Sequence, residues 1–132
     1  MTEKELIRMA RKARENAYCP YSGFAVGAAL FTKEGEVYTG CNVENAAYSP
    51  SLCAERSAFA AAVAHGERDF EAIAVVGGKE TPCSPCGVCR QVMAEFCSPD
   101  FKVICATPQE DGPYLVKTLS ELLPLAFDSG SL

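Results

Sequence analysis

Positive charge is in short supply in this sequence. Its 12 Lys and Arg stand against 17 Asp and Glu, for a net charge of −5. Wrapping a nucleic-acid backbone needs clustered basic side chains, and here they are scattered. The densest group, Arg8, Arg11, Lys12 and Arg14, falls on one N-terminal helical stretch and reads as a solvated face. Long apolar runs are missing as well. The longest, Phe24 to Phe31, is far short of the roughly 20 residues that a membrane-spanning helix needs. The N-terminal stretch MTEKELIRMARKARENA is charged throughout and has no apolar centre, so no secretory signal is visible. Internal repeats, low-complexity tracts and linkers are absent too. What remains is the expectation of one domain over residues 1–132, in the cytoplasm, with neither nucleic acid nor membrane as partner.

Apolar residues make up 48% of the chain, enough for a core without disulfides to support it. The 8 cysteines therefore need another explanation. Without a secretory signal, metal ligation, redox chemistry or use as small buried hydrophobes are the alternatives. Cys19, Cys41, Cys97 and Cys105 are isolated in apolar surroundings and read as core fillers. Cys53, Cys83, Cys86 and Cys89 are placed differently.

Thr2 with Glu5 forms a capping box that opens a helix. Leu6, Ala10, Ala13 and Ala17 continue it as an apolar stripe, and Pro20 ends it. Residues 24–32 and 36–43 read as strands joined at Lys33-Glu34-Gly35, an antiparallel hairpin with its glycine in the left-handed position. An Ala-rich helix spans 53–65 and stops at Gly66. Residues 70–76 are a buried strand. Ser84 as N-cap and Pro85 as first helical residue open a helix that runs from Cys86 to about Phe96. Strands follow at 101–106 and 114–118, and Ser120 caps a final turn. The order α-β-β-α-β-α-β-β-α implies an α/β fold: a three-layer α-β-α sandwich around a mixed five-stranded sheet, with its later strands partly parallel.

Two short motifs stand at two helix starts, Cys53-Ala54-Glu55 and Pro85-Cys86-Gly87-Val88-Cys89. Cys86 and Cys89 share a helical face, so both sulfurs can reach one ion. Helix starts cluster at the ligand-binding end of an α/β sheet, and their dipoles favour thiolates. Three thiolates on zinc leave a fourth position for water. They also carry −3 against the +2 of the ion, so a nearby cation is needed. Arg56, three residues after Cys53, can donate to the sulfurs. Glu55 is placed to move protons rather than to bind metal. Alone, it would need no role beyond complementing the helix dipole.

C-A-E followed by P-C-x-x-C is similar to the signature of zinc nucleoside and nucleobase deaminases, with cysteine replacing the usual first histidine. Tyr21-Ser22-x-Phe24-x-Val26-Gly27-Ala28-Ala29, Gly40-Cys41-Asn42-Val43-Glu44-Asn45-Ala46, Cys53-Ala54-Glu55-Arg56, Ser84-Pro85-Cys86-Gly87-x-Cys89-Arg90-Gln91 and Glu121-Leu122-Leu123-Pro124 occur in that order. Together they resemble the small, homotetrameric, zinc-dependent cytidine deaminases over nearly the whole chain. The resemblance implies hydrolytic deamination of free cytidine and deoxycytidine in pyrimidine salvage, with one Zn2+ per chain on Cys53, Cys86 and Cys89. It implies that Asn42 and Glu44 hold the ribose hydroxyls, that Phe24 stacks on the pyrimidine, and that the backbone at Ala54 and Ser84 reads the polar edge of the base. Asn42 and Glu44 sit at alternate strand positions and so face one side, and both can bond a hydroxyl. The resemblance further implies that Ala46, Tyr48 and Phe127 complete the sites of neighbouring subunits.

Other readings remain open at this level. Cys83 could join the other three cysteines in a closed structural zinc site. Cys86-Gly87-Val88-Cys89 has the spacing of a thiol redox motif. A deaminase of another cytosine nucleoside analogue would share the zinc chemistry and differ at the ribose-binding residues. A polynucleotide deaminase is opposed by the acidic charge balance.

Overall fold

The central strands send alternate side chains into two different layers. In β1 (Gly27–Thr32), Ala28 and Leu30 enter one apolar cluster and Ala29 the other. In β3 (Phe70–Val76), Ile73 and Val75 oppose Ala72, Ala74 and Val76. This is the two-residue period of extended chain, and near-continuous burial marks strands covered on both faces. The computed structural model describes residues 1–132. β2 (Val37–Cys41), β4 (Lys102–Ala106) and β5 (Tyr114–Thr118) complete a five-stranded sheet ordered β2-β1-β3-β4-β5. β1 is antiparallel to β2 and β3, β3 and β4 are parallel, and β5 is antiparallel to β4. The parallel pair is the one joined through a helix, as crossover geometry requires.

α1 (Glu3–Arg14) covers one face through Leu6, Ile7 and Ala10. Small residues on that side let the helix lie close: a Cβ on Gly27 would stand 2.0 Å from the Ala10 carbonyl oxygen. Only glycine permits this approach. α2 (Ala54–Ala64) and α3 (Gly87–Phe96) cover the other face with larger side chains, among them Phe59 and Met93. Phe59 meets Phe70 edge-on at 5.1 Å between ring centroids, a favoured aromatic arrangement. A short α4 (Leu119–Leu122) follows β5. The three-layer sandwich around a mixed sheet is the expected architecture. No helix is long and apolar enough to cross a membrane.

Element ends depart from the sequence reading where long-range bonds replace local ones. α1 stops at Arg14, short of Ala17 and Pro20. Its end tightens into three-residue bonds, and Tyr18 then pairs with extended chain. The Tyr18 N–H donates to the Asn42 carbonyl at 2.9 Å, and its carbonyl accepts from the Glu44 N–H at 2.8 Å. β1 begins at Gly27, not Phe24, because the Asn42 amide interrupts the ladder. Its Oδ1 accepts from the Val26 N–H at 2.9 Å and its Nδ2 donates to the Phe24 carbonyl at 2.8 Å. β2 ends at Cys41, and Val43 instead pairs with Leu52. The N-cap of α3 is Cys86, not Ser84, since the chain stays extended through the buried Pro85 to Cys86. Thr118, not Ser120, caps α4, in a reciprocal box with Glu121. The glycine turns are as read: Gly35 and Gly66 have φ of +98° and +90°.

Two side-chain assignments are also corrected. Arg11 and Arg14 are not merely solvated: Arg11 donates to the Pro108 and Gln109 carbonyls, and Arg14 to the Ala25 carbonyl at 2.9 Å. Of the four isolated cysteines, Cys105 is buried and Cys97 packs against the core. Cys19 and Cys41 are only partly buried and belong to neither apolar cluster.

Candidate metal centre and active site

Two helices begin at a cysteine. Cys53 is the N-cap of α2 (φ −74°, ψ 157°) and Cys86 the N-cap of α3 (φ −69°, ψ 167°). Neither sulfur caps its own helix. The positive ends of both helices therefore meet at the cluster, an electropositive setting for ligand sulfurs. Cys89 is the third residue of α3 and is wholly buried. Counting from the N-cap, this is the spacing of a capping box, which brings both side chains to the same helix end.

The sulfurs of Cys53, Cys86 and Cys89 lie within 4.8 Å of one another, with Cys53 and Cys86 at 3.8 Å. Tetrahedral zinc with bonds of about 2.3 Å separates its thiolates by about 3.8 Å, so the donor set fits that ion. Cys83 is not part of this cluster, which removes the geometric basis for a closed four-cysteine site. Arg56 Nη2 donates to Cys53 Sγ at 3.4 Å. The close approach of Cys89, then of Arg56 and Cys86, pulls the Cys53 thiol down to about 5. The Cys89 thiol, beside Cys53 and itself buried, is held up. The adjacent thiolate raises the proton affinity of Arg56, keeping it cationic.

Glu55 follows Cys53 by two residues and is 4% exposed, the only buried acidic residue in the chain. Removal from water raises its carboxyl above the usual range, and the negative charge of Cys53 adds to this. A buried carboxyl beside the cluster is placed to accept and return a proton.

A cavity of about 300 Å³ opens over these groups. Its walls bring together Phe24, Asn42, Glu44, Ala54, Glu55 and Ser84 with Cys53 and Cys86. These come from the segment before β1, the end of β2 and both helix starts. Ser22, Val26 and Cys83 line it too. Their roles were not read from the sequence, although Ser22 and Val26 flank Phe24 within a single motif. Glu44 is fixed by the chain itself: it accepts from the Tyr21 and Ser22 N–H groups at 3.1 Å each and from the Ser22 hydroxyl. The Ser22 hydroxyl and N–H, followed by the Tyr21 N–H, hold the Glu44 carboxyl below its ordinary range. A carboxylate has about four lone-pair sites, so one remains for a ligand. Ala46, Tyr48 and Phe127 do not line this cavity. All three are exposed, and Tyr48 has φ +64° with its ring edge-on to Tyr21.

Comparison with known proteins agrees with this geometry. The family model described as "Cytidine and deoxycytidylate deaminase zinc-binding region" matches residues 1–106. The cytidine deaminase of Sporosarcina psychrophila is 50% identical over 132 residues, covering all of this chain and 96% of its own. That of Halalkalibacterium halodurans is 52% identical over 127 residues, covering 96% of this chain and 95% of its own. The crystal structure of the Burkholderia pseudomallei cytidine deaminase superposes with a TM-score of 0.92 at 51% identity, covering 96% of this chain and all of that one. A match this long takes in both helix starts and the strands between them, and on it the chain belongs to the cytidine and deoxycytidylate deaminase zinc-binding family.

Proposed function

We propose that this protein hydrolyses the exocyclic amine of free cytidine and deoxycytidine, yielding uridine or deoxyuridine and ammonia. One observation carries this reading. The only buried carboxylate, Glu55, shares a nucleoside-sized cavity with Cys53 and Cys86 of the three-cysteine cluster and with an aromatic side chain, Phe24. One zinc ion per chain is the cofactor, held by Cys53, Cys86 and Cys89; when bound it supplies Lewis acidity that makes water a nucleophile near neutral pH.

The chain's own residues do the rest. Glu55 takes a proton from the water that adds at C4 of the base and passes it to the ring nitrogen. It then takes the proton of the new C4 hydroxyl and delivers it to the amine as the C4=O forms and the C4–N bond breaks, so that ammonia leaves. Arg56 offsets the excess negative charge of the thiolates. Phe24 stacks on the pyrimidine, and the backbone at Ala54 and Ser84 meets its polar edge. Asn42 and Glu44 face the ribose, pre-oriented by their bonds to residues 21–26. The fixed negative charge of Glu44 favours a nucleoside over a nucleotide, whose phosphate it would repel. These ribose-facing residues also favour cytidine over a base analogue lacking the sugar.

The 132 residues form one catalytic domain, and the enzyme serves pyrimidine salvage in the cytoplasm. It works as a homotetramer in which Ala46, Tyr48 and Phe127 complete neighbouring sites. Supporting this, Tyr48, Leu125 and Phe127 are 74%, 104% and 60% exposed, a large apolar display for an isolated chain. Tyr48 and Leu125 also hold positive φ, a conformation that bulky side chains rarely adopt without support. The test is ultraviolet monitoring of cytidine turnover alongside zinc analysis, with light scattering for assembly. Turnover is expected with one zinc per chain and four chains per particle, and chelation should abolish it. Full activity in metal-free protein sinks the zinc mechanism; a fully active monomer sinks the shared sites alone.

A further inference from the structure

Cys86 reaches the cluster at the end of an irregular segment that starts at Gly77. Two N–H groups of that segment, those of Gly77 and Cys83, donate to the Ala106 carbonyl at 3.3 Å. Nearer the metal the chain has little backbone support. Pro85 has no N–H to donate, its side chain is fully buried, and its carbonyl needs a partner.

Arg90 provides that partner. Its Nε donates to the Pro85 carbonyl at 2.8 Å, and its Nη1 donates to the Leu122 carbonyl at 2.7 Å. Leu122 ends α4, where carbonyls have lost their helical donors. Leu122 itself packs against the main apolar cluster, so that end of the bridge is firm. A planar guanidinium can span two acceptors in fixed directions, which a lysine ammonium cannot reproduce. The residue before a metal ligand is thus clamped to a separate, packed element.

We propose that Arg90 is a positioning residue of the metal centre: by bridging the Pro85 and Leu122 carbonyls it holds Cys86 in place against Cys53. It makes no hydrogen bond to a ligand sulfur, so it acts through the backbone. The inference rests on the zinc reading of the cluster, which zinc analysis of the unaltered protein tests separately. Gln91 is its natural control. Its Nε2 donates to the Phe127 carbonyl at 2.6 Å, tying down the tail without touching the metal loop.

The experiment uses the full-length zinc-loaded protein and its Arg90→Ala, Arg90→Lys and Gln91→Ala variants. Zinc affinity is measured by competition with a chromophoric chelator, and melting is followed with and without zinc. Arg90→Ala should bind zinc about 10–100-fold more weakly, the usual effect of removing an outer support. Arg90→Lys should recover only part of the loss, and Gln91→Ala should bind as the unaltered protein does. A merely structural Arg90 would lower both melting points equally and leave zinc affinity unchanged; that result overturns the proposal. If Arg90→Ala does not fold, Arg90→Lys decides, and unaltered zinc affinity there overturns it equally. An unaltered protein without zinc would instead count against the metal reading.

Discussion

The two cysteine-capped helices reach the same cluster by different routes. α2 lies directly against β2: a Cβ on Gly40 would stand 2.5 Å from the Ala58 nitrogen and 2.6 Å from the Ala54 carbonyl oxygen. The start of α3 is open, and a Cβ on Gly87 would meet nothing within 4 Å. Cys53 is partly buried, whereas Cys86 is exposed. The close-packed start also carries Glu55 and Arg56; the open one carries ligands and the loop that walls the pocket. The comparison teaches a division of labour. Proton transfer needs a group fixed to a fraction of an ångström in a water-poor setting, and the helix against the sheet provides this. The α3 start, with Gly87 facing open space, supplies two sulfurs whose chain is held by the Arg90 bridge.

The sharpest way to test that division is at Glu55. Glu55→Gln keeps the size of the side chain and removes its proton transfer. Deamination should fall by about 10²–10⁴-fold or more, with zinc content unchanged by metal analysis. A loss of only a few-fold would take proton transfer away from the α2 start.

Next in size is the packing beneath it. Gly40→Ala forces a methyl into the backbone of α2, which cannot yield without moving the whole helix. Overpacking of this kind costs about 1–3 kcal/mol, and contact with backbone places it at the upper end. Urea unfolding of the zinc-loaded protein should show that loss, and turnover should drop with it because Glu55 shifts. Unchanged stability would mean that α2 is not held as described.

The smallest effect is expected at the mirror position. Gly87→Ala at the open start of α3 meets no atoms and removes freedom from the unfolded chain. It should stabilise by about 0.4–1 kcal/mol and leave turnover unaltered. A destabilisation comparable to that of Gly40→Ala would erase the difference between the two starts.

Much of this architecture was written in local pattern. The buried strand at 70–76, the Ala-rich helix after Cys53, and the turns at Gly35 and Gly66 follow from residue periods and backbone preferences that act within a few positions. Spacing alone also put Cys53, Glu55 and Arg56 at one helix start, and Cys86 with Cys89 at another. That all three sulfurs meet within 4.8 Å, and without Cys83, is a tertiary fact. So are the early ends of α1 and β2, where Tyr18 and Val43 find partners far away in sequence. The Pro85 preference for a first helical position misled: its ring is buried and the extended residue that caps α3 is Cys86. Arg14 read as surface charge and Arg90 drew no role, yet each clamps a distant carbonyl. The sequence by itself determined which side chains could do chemistry and on which short elements they ride, since those preferences are local. Only the tertiary structure decided how they converge, because a sulfur cluster, a buried carboxylate and a clamped carbonyl each depend on partners that the chain brings together only when it folds.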